Sequence, residues 1–360
     1  MIQPTPYYLA DPNVFISNSE RLTQVIKAYY SNYNLSYSFK TNYYDGFLRT
    51  AKAIGLLAEV VSVHEYELAK SCGFTEKDII WNGVLPSEVK LSVIENGGIV
   101  NVDNFTELYN LMEVWFENHH EPLPIGLRFE IPQLTNGKSR FGFHESDFDE
   151  FGSIINANKI NVRCVHSHTS NARDLGSFKQ RIEYMVNLAR MFNSKIVDIG
   201  GNMYGPMHPD FARQYDSSIP SLEDYGMVIG KKMKELVPNE DIILVTENGT
   251  ALVGNAMDLV AKVIKRNDTK GAVRFTLNCN CYDVGFSCNH KNPVIETSSD
   301  SSDVENAVIY GCTCLERDII HRCFSGKMDV GDIVTIKNVG AYSLNVSNNF
   351  ISPVPYIVNK

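Results

Sequence analysis

Residues 35–46 read Leu-Ser-Tyr-Ser-Phe-Lys-Thr-Asn-Tyr-Tyr-Asp-Gly: aromatic and apolar residues alternate with small polar ones, a lysine, Lys40, closes the run, and a turn-like segment follows. Alternation with period two predicts a short buried strand. A lysine at its end keeps its stem among apolar side chains, and beside a cofactor its amine is an imine-forming nucleophile. The competing reading is a lysine that simply reaches water.

Outward from this run, strand and helix patterns alternate. A helix is expected over 47–54, a strand over 58–63 and a helix over 65–72. Further strands are expected over 79–81, 99–102, 125–130, 162–165, 196–199 and 242–245, with helices such as 106–115 and 178–191 between them. Regular alternation predicts an α/β barrel of the TIM type, with an open parallel sheet as the competitor. No Gly-x-Gly-x-x-Gly follows the first strand, which weakens a dinucleotide-fold reading. Beyond residue 256 the texture changes to short strands, expected over 273–277, 308–310, 333–337 and 351–358, separated by polar turns. This predicts a second, β-rich domain. Residues 298–303, Ser-Ser-Asp-Ser-Ser-Asp, read as a surface loop.

At 360 residues and 44% hydrophobic the chain is long enough for two cores. Its formal charge of -9, with no clustered Lys/Arg stripe, argues against a nucleic-acid polymer or an anionic membrane as partner. No apolar run approaches the roughly 20 residues that span a bilayer, and no basic segment followed by an apolar one opens the sequence, so a soluble cytoplasmic protein is expected. Eight cysteines are too sparse for a disulfide scaffold.

Four further clusters have chemical content. In Val165-His166-Ser167-His168-Thr169-Ser170-Asn171-Ala172-Arg173 the two histidines share one side of a strand, a possible metal pair, but two ligands are not a site. Asp198-Ile199-Gly200-Gly201-Asn202 follows an apolar strand with a flexible turn whose amides suit phosphate. Glu247 follows the strand expected over 242–245 as an acid that could cap a helix or sit in water. Cys279, Cys281, Cys288, Cys312, Cys314 and Cys323 crowd the β-rich part. Four thiolates could hold zinc, although paired Cys-x-Cys is a weaker signal than paired Cys-x-x-Cys.

Tyr37-Ser38-Phe39-Lys40-Thr41-Asn42 closely resembles the cofactor-lysine motif of the pyridoxal-phosphate decarboxylases with an alanine-racemase-like barrel. This is the fold-type III family that includes ornithine, diaminopimelate and carboxynorspermidine decarboxylases. Other segments resemble it in the same chain order, over nearly the whole length: Thr5-Pro6-Tyr7-Tyr8, the stretches 58–68 and 102–108, Gly126-Leu127-Arg128-Phe129, the histidine cluster, the glycine turn, Thr246–Thr250, 311–318 and Gly340-Ala341-Tyr342. The resemblance implies an N-terminal strand (1–15) folded back on a C-terminal β domain (257–360), with a cofactor-binding barrel (16–256) between them.

It further implies pyridoxal 5'-phosphate as cofactor, bound as an aldimine to Lys40. His168 stacks on the ring, Glu247 partners the pyridine nitrogen, and Arg128 orients lysine or cofactor. Ser170, Asn171, Gly200, Gly201, Asn202 and Tyr342 lie toward the phosphate. Cys314, contributed across a homodimer interface, protonates the quinonoid carbanion left by CO2. No resident metal is implied. The sequence departs from the family in four places. Thr169-Ser170-Asn171 replaces the usual Gly-Ser ending, Asn202 a third glycine, Thr250 an arginine, and Leu315 the acidic residue that often follows the cysteine in enzymes acting on cationic side chains. The expected substrate is therefore an amino acid, free or linked to a carrier or nucleotide, without a free distal ammonium; ornithine-, lysine- and diaminopimelate-like substrates stay open. An amino-acid racemase and a non-catalytic pyridoxal-phosphate or zinc-binding protein are the alternatives.

Overall fold

A computed structural model of the chain describes residues 4–85, 87–215, 218–269, 271–288 and 291–360; the first three residues of the expected 1–15 segment lie outside them. Strand β1 is Tyr7–Ala10 and β2 is Tyr33–Ser38. The alternating run therefore stops two residues before Lys40, and Phe39–Thr41 form one 3-10 turn that carries the lysine. The sequence reading placed Lys40 on the strand. It lies on the turn because the backbone just beyond it is claimed by the C-terminal part: the Tyr342 amide donates to the Thr41 carbonyl (2.9 Å), and Asn42 Nδ2 donates to the Gly340 carbonyl (2.8 Å).

Seven more strands follow: β3 Leu57–Val60, β4 Ile79–Trp81, β5 Ile99–Val102, β6 Leu123–Arg128, β7 Ile160–His166, β8 Ile196–Asp198 and β9 Ile243–Asn248. All pair in parallel in sequence order, and β9 pairs β2 through Tyr33 and Leu244 to close a barrel. Closure excludes the open-sheet reading. The helices between them bury one face each: Leu175–Met191, for example, buries Phe178, Ile182, Met185 and Val186 and starts at Asp174, whose side chain accepts the Ser177 amide. A barrel of this kind presents the C-terminal ends of all eight strands at one mouth.

The remaining strands, β10 Met257–Thr269, β11 Ala272–Leu277, β12 Ile295–Thr297, β13 Asp303–Tyr310, β14 Ile319–Lys327, β15 Ile333–Ile336 and β16 Tyr356–Asn359, join one largely antiparallel sheet. β1 is part of it, antiparallel to β10 and parallel to β16. The strand expected over 351–358 shrinks to β16, because Pro353 and Pro355 cannot donate to a ladder. β10 was missed at the sequence level: its outer half, Ile264–Thr269, is polar and largely exposed and breaks the apolar pattern. Among the described residues, no helix is long and apolar enough to cross a membrane.

Candidate active site

Polar residues close several strands of an otherwise apolar barrel, and they meet at its mouth. Lys40 Nζ donates to Glu59 Oε2, which also accepts the Ser38 hydroxyl. Glu59 is buried near the end of β3. Burial opposes the charge on Lys40, but the carboxylates of Glu59 and then Glu247 outweigh it and raise the ammonium above its ordinary range. Asn82, just after β4, donates from Nδ2 to both acids, to Glu247 Oε1 at 2.5 Å and Glu59 Oε1 at 3.2 Å, and accepts from Asn101 at 2.8 Å. One amide thus sets the spacing of the two carboxylates on either side of the cavity.

Glu247 lies deeper, 3.3 Å from His166 Nε2 and close to Asp198. Burial works against its ionisation. The charge of His166 and its hydrogen bond, then Lys40 and a hydrogen bond with Asp198, prevail and hold Glu247 below the usual carboxylate range. Asp198 is pushed the other way, well above that range, by burial and then by the charge of Glu247. Two buried acids this close cannot both ionise cheaply, so Asp198 keeps the proton and Glu247 the charge. The Gly200 amide donates to Asp198 Oδ1 at 2.8 Å, which leaves Oδ2 for that proton.

A raised acid has a stability signature. The folded chain holds a proton on Asp198 that the unfolded chain releases above about pH 4, so this group costs stability progressively as pH rises. Asp198→Asn keeps the contact to Gly200 and removes that cost. Thermal unfolding from pH 5 to 9 should show the variant gaining on wild type as pH rises, with a limiting slope of about 1.4 kcal/mol per pH unit. Equal curves would mean Asp198 is ionised. Glu247, with its depressed value, contributes stability present above its unfolded pKa and lost only as pH falls through the folded one. Wild type and variant share that contribution.

His168 accepts the Gly201 amide at Nδ1 (3.3 Å), and burial, then the charge of Lys40, keeps its ring neutral. The glycine turn leaves no room for side chains. A Cβ at Gly200 would lie 2.7 Å from the Ser167 carbonyl oxygen, and one at Gly201 2.1 Å from that of Glu247. Asn202 takes the left-handed conformation (φ 74°) that asparagine tolerates, and its Nδ2 donates to the Thr169 carbonyl at 2.6 Å. Arg181 stitches the two loops together from the fully buried side. Its Nη1 donates to the Ile199 and Gly201 carbonyls (2.9 and 3.0 Å), and its Nη2 to Thr169 Oγ1 and the Ala172 carbonyl (2.5 and 3.0 Å). Arg181→Met should cost about 3 kcal/mol or more in denaturant unfolding, because it strands several buried acceptors at once. A loss below about 1 kcal/mol would show that water replaces the guanidinium.

A cavity of about 400 Å³ is lined by Lys40, Glu59, Asn82, Arg128, His166, His168, Ser170, Glu247 and Tyr342, together with Arg140 and Phe141. The guanidinium carbons of Arg128 and Arg140 lie 4.6 and 4.2 Å from the Phe141 ring centre. Six of the eleven residues singled out in the sequence share this cavity. Gly200, Gly201 and Asn202 lie behind His168, and Asn171 is exposed one residue beyond Ser170. Tyr342 has a left-handed backbone (φ 55°), a strain of about 1–2 kcal/mol for a bulky residue.

Cys314 does not line the cavity of its own chain. It is exposed, on a turn held by buried Asp318, whose carboxylate accepts the amides of Cys281 (2.8 Å) and Thr313 (2.9 Å). Leu315 is half-buried beside it. Among the described residues the cysteines form no group of three potential metal ligands, and all eight are free thiols. Among the described residues the one such group is His166, Asp198 and Glu247. Glu247 hydrogen-bonds His166 and Asn82, and Asp198 accepts the Gly200 amide.

Glu59, Asn82, Asn101, Asp198, Arg140 and Arg181 were given no role in the sequence reading. Glu59 carried a usable signal, an acid between Ala58 and Val60 in an apolar strand, and so did Asn82 directly after Ile79-Ile80-Trp81. The donor set suits pyridoxal phosphate: an amine for its aldehyde, an ionised acid for a pyridinium, a neutral ring beside them, and a side-chain-free turn with exposed Ser170 near it. Among the described residues His166, which lines the cavity, has no hydrogen-bond partner at Nδ1.

Comparison with known proteins gives the same picture. The family described as "Pyridoxal-dependent decarboxylase, pyridoxal binding domain" matches residues 17–254. Diaminopimelate decarboxylase of Methanocaldococcus jannaschii is 26% identical over 385 residues, covering 96% of this chain and 84% of the relative. L-glutamyl-[BtrI acyl-carrier protein] decarboxylase of Niallia circulans is 22% identical over 378 residues, covering 95% and 85%. Among solved structures, the arginine decarboxylase of Paramecium bursaria Chlorella virus superposes with a TM-score of 0.83 at 20% identity, over 99% of this chain and 96% of that one.

Proposed function

The chain belongs to the pyridoxal-dependent decarboxylases, and from that premise we propose that it removes the α-carboxylate of an amino acid, free or conjugated, that lacks a free distal ammonium. The observation that carries this reading is the pairing of a raised Lys40 ammonium with Glu59 across the cavity from an ionised Glu247. Bound pyridoxal phosphate supplies the electron sink for the pair left behind when CO2 departs.

In this reading Lys40 is the attachment point, and Glu59 is the acceptor that holds its nitrogen in place at the barrel mouth. Glu247 offers a charged acceptor that keeps a pyridinium N–H in place, while protonated Asp198 and Asn82 fix its two oxygens. His168, neutral and backed by the glycine turn, gives a flat surface without adding charge. Arg128, held over Phe141, orients the lysine or the ring. Ser170, Asn171, Gly200, Gly201, Asn202 and Tyr342 face the phosphate end. Because Cys314 is exposed and outside its own chain's cavity, it acts from the second subunit of a homodimer, where its thiol delivers the proton to the α-carbon.

Leu315 puts an apolar side chain where an acid would meet a distal ammonium. The carrier-linked glutamyl substrate named for the Niallia relative supports a conjugated substrate. The test is simultaneous CO2 measurement and chiral analysis on a panel of free, carrier-linked and nucleotide-linked amino acids. Stoichiometric CO2 with one amine product is expected. Inversion without CO2 would replace the reading with racemisation, and cofactor binding without turnover across the panel would replace it with a binding role.

A further inference from the structure

Next to the barrel cavity lies a second one of about 430 Å³, and its lining includes Arg173, Tyr204, Gly205, Thr250, Lys291 and Tyr342. It adjoins the first, since Tyr342 lines both. Among the described residues its charges are one-sided: Arg173 and Lys291 are cationic and no carboxylate lines it, in a chain of net charge -9. Asp174, the neighbour of Arg173, accepts the Ser177 amide (2.9 Å) and hydroxyl, and Asp210, beside Phe211, is paired with Arg213. Lys291 donates to the Gln214 carbonyl and sits 4.9 Å from the Tyr215 ring. The Arg173 guanidinium stacks 5.0 Å from the Tyr204 ring. Among the described residues it makes no hydrogen bond or ion pair to another side chain or carbonyl. A half-buried guanidinium with unused donors, in a cavity lined by no described carboxylate, suits a planar or tetrahedral oxyanion.

Connectivity identifies the anion. The wall at Tyr204–Met207 continues directly from the turn Gly200–Asn202, and Thr250 continues directly from Glu247–Gly249. The two walls are pressed together, so that a Cβ at Gly205 would come within 2.5 Å of the Thr250 carbonyl oxygen. Arg181, the other cation near this turn, has spent both Nη groups on carbonyls and a hydroxyl. We propose that Arg173, with Lys291 behind it, supplies the positive charge for the cofactor's phosphate in a site where position 250 holds only a hydroxyl. This rests on the cofactor reading above.

The test compares binding of pyridoxal 5'-phosphate and of phosphate-free pyridoxal to the apo chain, followed by the imine absorbance, in wild type, Arg173→Met and Arg173→Lys. Arg173→Met should weaken pyridoxal phosphate about tenfold to a hundredfold, the range for a charge-assisted hydrogen bond, leave pyridoxal unchanged, and be partly rescued in Arg173→Lys. Unfolding curves matching wild type exclude misfolding as the cause. Equal weakening of both ligands, or no weakening of either, would overturn the assignment. So would an unchanged cofactor affinity with a raised KM, which would place a substrate acid there instead. Failure of wild type to bind either compound would sink the cofactor reading itself.

Discussion

Lys40→Ala is expected to lose the absorbance band near about 420 nm that pyridoxal phosphate produces with the wild-type chain, and to lower CO2 release by at least about a thousandfold. The size of the effect follows from geometry. Among the described residues no other lysine lines the cavity at the barrel mouth, so none of them can take over the attachment. The variant should stay folded, because Glu59 retains hydrogen bonds from Ser38 and Asn82. A band of undiminished intensity in the variant would mean that another amine holds the cofactor and that the mouth of the barrel is not where it is attached.

Glu247→Gln is expected to be the next largest loss, about a hundredfold in kcat/KM, or about 3 kcal/mol of transition-state stabilisation. The substitution keeps the shape and the oxygen that accepts from Asn82 but removes the charge that His166 and Lys40 sustain. A neutral amide no longer favours a protonated ring nitrogen, so the loss should fall mainly on kcat, with cofactor affinity changed less. If kcat is unaffected, the charge on Glu247 serves the fold and not the reaction.

Much of the site could be read from the sequence because its residues sit in short local words: the lysine after an alternating strand, the Gly-Gly turn after an apolar one, His168 and Glu247 at strand ends. Each predicts a local geometry, and Lys40, His168 and Glu247 do line one cavity. What stayed hidden depends on contacts distant in sequence. Asn82 matters because it bridges Glu59 and Glu247, 165 positions from the latter. Arg181 looks like an ordinary helical arginine until the helix packs beneath the glycine turn. The 3-10 turn at Lys40 is set by residues 340–342, near the other end of the chain, and no reading of 35–46 alone could supply it.

The proposed shared site ties these residues into one claim: Lys40 of one subunit and Cys314 of another act on the same substrate. Lys40→Ala and Cys314→Ala chains, each of low activity alone, should be dissociated, mixed in equal amounts and reassociated. Random pairing makes about half of the dimers mixed, each with one intact site of two, so CO2 release should recover to about a quarter of wild type. Verified mixed dimers that stay as inactive as their parents would contradict the account.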